Sequence, residues 1–140
     1  MIVIYTDGGA RNNPGPAGAG VVIYDLDRME DGAAPMATVS KYLGKQTNNW
    51  AEYEAVALAL EKAKDLGLTK EPIEVRMDSK LVAEQLSGNW RVKEPSLKPQ
   101  FEKVRALCGE FAGIRFVHVP REKNKEADKL VNRAIDQSGH

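Results

Sequence analysis

Four carboxylates stand out by the company they keep. Asp7 ends the run Ile2-Val3-Ile4-Tyr5-Thr6 and is followed by Gly8-Gly9, and Asp78 ends Ile73-Glu74-Val75-Arg76-Met77. Glu52 lies near the start of a stretch dense in helix formers, and Asp128 sits beside the apolar Ala127 and Val131 near the other end of the chain. Taken alone, each has an ordinary explanation. Asp-Gly-Gly is common turn chemistry. A carboxylate in the first turn of a helix is favoured by the dipole, and acidic side chains are mostly solvated. Brought together, they form a cluster of like charges that is costly unless cations occupy it. Ligation by carboxylate oxygens and water is what Mg²⁺ and Mn²⁺ prefer, so the chemistry on offer is that of a hard divalent ion.

The elements that carry these residues follow from pattern. The β-branched and aromatic run 2–6 reads as a buried strand with Asp7 at its tip, and Gly8 and Gly9 leave backbone that a ligand can approach closely. The segment ARNNPGPAGAG, residues 10–20, reads as a turn, and Val21-Val22-Ile23-Tyr24 as the core of a second strand. Residues 25–35 are polar and glycine-containing, a hairpin loop leading to a third, antiparallel strand over 36–44. Thr47-Asn48-Asn49 has N-cap character before a helix beginning near Trp50, whose inner face is Val56, Ala59, Leu60 and Ala63 and which Gly67 stops. A fourth strand ends at Asp78, and Ser79 caps a short helix through Leu86. A loop from Trp90 to Ser96 and a helix over 97–111, broken by Gly113, follow. A fifth strand over 114–119 is closed by Pro120, and a last helix over 123–137 faces inward with Ala127, Leu130, Val131, Ala134 and Ile135. Strands in a run, then alternating with helices, indicate an α/β chain with a mixed five-stranded sheet. If the first and fourth strands are neighbours, Asp7 and Asp78 point into one cleft.

Composition sets the limits. A length of 140 residues suits a single domain with one core. Lys plus Arg equals Asp plus Glu at 20 each, so any polyanion must be held by local patches rather than by bulk charge. Cys108, in an apolar stretch, reads as a buried thiol in a reducing setting. No apolar run reaches membrane-spanning length and no leader is evident, so a cytoplasmic, unprocessed protein is expected. No Ser, Cys or His triad is apparent.

Tyr5-Thr6-Asp7-Gly8-Gly9 with Asn13-Pro14-Gly15-Pro16-Ala17-Gly18, Thr47-Asn48-Asn49-Trp50-Ala51-Glu52, Asp78-Ser79 and Asn124-Lys125-Glu126-Ala127-Asp128 together resemble the motifs of type 1 ribonuclease H. Order and spacing agree from residue 2 to about residue 135. The resemblance implies a five-stranded sheet in order 3-2-1-4-5 with helices on both faces. It further implies an endonuclease that hydrolyses the RNA strand of an RNA/DNA hybrid, leaving 5′-phosphate and 3′-hydroxyl ends. Asp7, Glu52, Asp78 and Asp128 would then hold two ions, Mg²⁺ or Mn²⁺. Gly8, Asn13, Asn48 and Asn49 match positions that contact the hybrid, and Thr47 caps or touches a DNA phosphate. Asn48 is open to a capping role as well. Nothing in the motifs calls for a protein partner or a membrane, and a monomer is expected.

Three departures from the family pattern matter. The loop before the last helix lacks the usual histidine. Arg121 is the replacement expected, with His118, inside the strand, as competitor. The extended basic protrusion is missing, and 88–99 holds only Arg91, Lys93 and Lys98 near Trp90, which covers core or stacks on sugar. Lys80 stands where a glutamine is usual and offers a phosphate contact. The competing readings are a non-catalytic nucleic-acid-binding module of the same fold, and a related nuclease acting on double-stranded RNA or DNA.

Overall fold

In the computed structural model, which describes residues 1–28 and 34–140, five strands form one sheet in the order β3-β2-β1-β4-β5. They are β1 (Ile2–Ala10), β2 (Gly15–Asp25), β3 (Ala37–Gln46), β4 (Pro72–Met77) and β5 (Gly113–His118). β1 to β3 form an antiparallel meander, whereas β4 pairs parallel to β1 and β5 parallel to β4. The helices are α1 (Asn48–Asp65), α2 (Lys80–Leu86), α3 (Lys98–Cys108) and α4 (Lys125–Gln137). The expected sheet order and mixed pairing are both present.

Alternation in the strands assigns the faces. Ile2, Ile4, Val21, Ile23, Ile73, Val75 and Met77 share the main core with Tyr53, Val56, Leu60, Val82, Leu86 and Val104 from α1, α2 and α3. α4 packs on the opposite face, against β1, β2 and β3. Its buried stripe is Ala127, Val131, Ala134 and Ile135, and Leu130 is only half-buried.

Several boundaries differ from the sequence reading. β1 runs on past Asp7, which is therefore not its tip, through Gly8 and Gly9 to Ala10, the turn after it is short, and Gly15 to Gly20 already belong to β2. Their small side chains admit α4: a Cβ on Gly20 would lie 2.2 Å from the Ala127 carbonyl oxygen, and one on Gly18 would lie 2.8 Å from that of Val131. α3 ends at Cys108, well before Gly113, which opens β5 instead. α4 begins two residues late because Arg121–Lys123 forms a 3-10 turn. Of the hairpin loop expected over 25–35, residues 29–33 lie outside the described residues. Among the described residues, no helix is long and apolar enough to cross a membrane. Cys108 is half-buried, and burial pushes its thiol up, in keeping with an inert side chain.

Candidate active site

The site begins with a close approach of helix to strand. A Cβ on Gly8 would lie 2.2 Å from the Ala51 carbonyl, so only glycine lets α1 rest on β1 there. The contact brings Glu52 to the strand, where its Oε1 accepts from the Gly8 N–H at 3.0 Å. Gly9 is different, since a Cβ there would meet nothing nearer than 3.9 Å. The bare backbone at Gly8 therefore serves the packing of α1 as well as lining the cleft. Glu52 is the fifth residue of α1 rather than a first-turn carboxylate.

Asp7, Glu52 and Asp78 each present a carboxylate oxygen within 4.8 Å of the others. Asp7 and Glu52 are buried. Burial, with the charges of Asp78 and Asp128, pushes Asp7 up to about 7, against an opposing hydrogen-bond contribution from Glu52. Burial and the Asp7 charge push Glu52 well above the usual carboxylate range. Burial also raises Asp78, although the Arg121 guanidinium pulls the other way. Three acids held this close resist ionising together, and a hard cation removes that resistance. An all-oxygen donor set of this kind fits Mg²⁺ or Mn²⁺.

Asp128 stands at the rim, exposed, in the first turn of α4. Register explains its place. Asp7 pairs with Gly20 across β1 and β2, and Gly20 is where α4 seats through Ala127. Asn124, buried before α4, donates from Nδ2 to the Thr6 carbonyl at 2.8 Å and ties the start of that helix to β1. All four acids line one cleft of about 380 Å³ with Gly8, Asn48, Asn49 and Arg121.

Among the other expected residues, Thr47 is the N-cap of α1, its Oγ1 accepting from the Trp50 N–H at 3.2 Å. Asn48 is therefore not the cap. Its Oδ1 accepts from Ala10 N–H at 2.8 Å, while its own N–H donates to Asn13 Oδ1 at 2.9 Å. Arg121 is exposed, with Nε 3.9 Å from Asp78 Oδ2. His118 ends β5, opposite Met77. Lys80 lies outside the cleft, its Nζ 5.8 Å from the centre of the Trp90 ring. Trp90 is 44% exposed, so it does not cover the core. Arg11 and Asn132 also line the cleft and were missed. Asn132 was within reach of pattern reasoning, lying one helical turn beyond Asp128, whereas a lone arginine in a loop of Asn, Gly and Pro carries no signal.

A family model described as reverse transcriptase-like matches residues 5–134. Ribonuclease HI of Halobacterium salinarum is 40% identical over 134 residues, which is 96% of this chain and 64% of that protein. The bifunctional protein Rv2228c of Mycobacterium tuberculosis is 43% identical over 135 residues, 96% of this chain but 35% of that protein. The chain thus spans about a third of the length of its mycobacterial relatives. The crystal structure of LC11-RNase H1 in complex with an RNA/DNA hybrid is 48% identical and covers 100% of both chains, with a TM-score of 0.92.

Proposed function

Because the chain belongs to the ribonuclease H family, we propose that it is a metal-dependent endonuclease hydrolysing the RNA strand of RNA/DNA hybrids. The observation that carries this reading is the meeting of Asp7, Glu52 and Asp78 oxygens within 4.8 Å, where Asp7 and Asp78 follow the last residues paired between β1 and β4, Thr6 and Met77, and Glu52 reaches them from α1. With Asp128 at the rim, these residues would hold two Mg²⁺ or Mn²⁺ ions. Such ions supply Lewis-acid stabilisation to the attacking and leaving oxygens and acidify the attacking water. A purely binding module gains nothing from buried acids facing a polyanion.

The chain's own groups divide the remaining work. The Gly8 N–H fixes one oxygen of Glu52, so that carboxylate meets the cleft in one orientation. Asn13 and Asn48 commit their amide oxygens to backbone N–H groups, which leaves both NH₂ groups to donate to hydroxyls and base edges. In the minor groove of a hybrid, 2′-hydroxyls mark the RNA strand. Arg121, beside Asp78 and otherwise exposed, can hold a phosphate oxygen at any pH but cannot serve as a base. Attack by water needs no protein nucleophile; with the P–O3′ bond breaking and the 3′ oxygen leaving and taking up a proton, in-line displacement would leave 5′-phosphate and 3′-hydroxyl ends.

Cleavage of matched hybrid, duplex RNA and duplex DNA, assayed side by side with Mg²⁺, tests the reading. Cutting of the RNA strand of the hybrid alone is expected. Cutting of duplex RNA or duplex DNA at a comparable rate would overturn it.

A further inference from the structure

Arg11 is the cleft residue with the most partners. Its Nη1 donates to the His140 carbonyl at 2.8 Å, and its Nη2 reaches Asn132 Oδ1 at 3.3 Å and Asp136 Oδ1 at 2.7 Å. All three acceptors lie on α4 or just beyond its end, whereas Arg11 opens the short turn between β1 and β2. That turn also holds Asn13, whose side chain is bound to the first residue of α1. Asn132 in turn donates from Nδ2 to the Asp128 carbonyl at 3.1 Å.

We infer that Arg11 is a positioning residue: it clamps the Asn13 turn to the C-terminal half of α4 and so holds in place the amides proposed to contact the hybrid. The inference rests on hybrid cleavage as the reaction. A planar guanidinium can serve three acceptors at once, which an ammonium cannot reproduce with the same geometry. The side chains of Arg11 and Asp136 are both substantially exposed, at 39% and 66%. Exposed pairs add little to global stability. The clamp therefore acts on geometry, and its removal should register in substrate binding rather than in the melting temperature.

Asp136 does not line the cleft, so Asp136→Asn loosens the clamp without touching the hybrid. Arg11→Ala is expected to raise KM for the hybrid about tenfold with kcat within about twofold. Asp136→Asn should reproduce a smaller rise in the same direction. In the double variant the two effects should fail to add, because both remove one link. Arg11→Lys should behave like Arg11→Ala, whereas a direct phosphate contact would survive that change. Additive effects, rescue by Arg11→Lys, or an unchanged KM would each overturn the inference. Amide hydrogen exchange over residues 10–15 of the free chain reads the clamp without substrate. Faster exchange in Arg11→Ala and Asp136→Asn is expected, and unchanged exchange in both would overturn the clamp. Failure of the unaltered chain to cut hybrid would instead count against the proposed function.

Discussion

Gly8 and Gly9 are neighbours of the same type, yet the structure assigns them different work. At Gly8 an added methyl would collide with the Ala51 carbonyl, pushing α1 and Glu52 off the strand. At Gly9 the same methyl would meet only ordinary contacts with Val131 and Asn48. Gly8→Ala should therefore destabilise the fold by about 1–3 kcal/mol, as over-packing does, and should lose metal-dependent cleavage beyond what the stability loss explains. Gly9→Ala should stay within about 1 kcal/mol of the parent. Urea unfolding of both variants, paired with cleavage at saturating Mg²⁺, separates them. Equal behaviour of the two would contradict the packing role given to Gly8.

At the scale of elements, β2 and α4 show why part of the site was readable in the sequence and part was not. Asp7 and Asp78 could be read because each ends a run of alternating or β-branched residues, a pattern set by the strand itself. Thr47 as helix cap and Ser79 as the next were likewise local features. The glycines at 18 and 20 were not legible, because a turn and a close helix contact both call for glycine, and only the partner distinguishes them. The position of Asp128 was hidden for the same reason. It depends on Gly20 pairing with Asp7 and admitting Ala127, three segments far apart in the chain. Gly20→Ala should displace α4 and misplace Asp128, lowering cleavage by on the order of a hundredfold, as small displacements in active sites do. Circular dichroism should show a retained fold. Unchanged cleavage in a folded Gly20→Ala would contradict this account of the helix.

At the scale of the whole molecule, α4 covers only the β1–β3 half of its sheet face. Along β4 and β5 that face carries Glu74, Arg76 and Arg115. Glu74 is buried and accepts from Arg115 Nη2 and, at 2.5 Å, from Arg76 Nε, whose guanidinium also donates to Tyr5 Oη at 2.8 Å. Burial alone would raise Glu74, but the two guanidiniums outweigh it and hold the carboxyl below its ordinary value of 4.5. A carboxyl depressed in the folded state contributes stability above its unfolded pKa, and that contribution is lost as pH falls through the folded value. The parent should therefore lose stability below about pH 4.5. Glu74→Gln should be less stable at neutral pH by about 1–3 kcal/mol, since it leaves two guanidiniums without their acid. Its stability should also fall less steeply in acid. Urea midpoints between about pH 7 and pH 3 measure both effects, and parallel curves would contradict the network.

Asp7, Glu52 and Asp78 would together hold the ions needed to cut the RNA strand of a hybrid. The most direct test of that assignment is the cleavage rate of a labelled RNA/DNA hybrid across a Mg²⁺ titration, with the parent beside folded Asp7→Asn and Asp78→Asn. The parent rate should rise from nothing in EDTA to a plateau, while both variants stay near zero throughout. Cleavage by the parent in EDTA, or by either variant at the parental rate, would contradict the assignment.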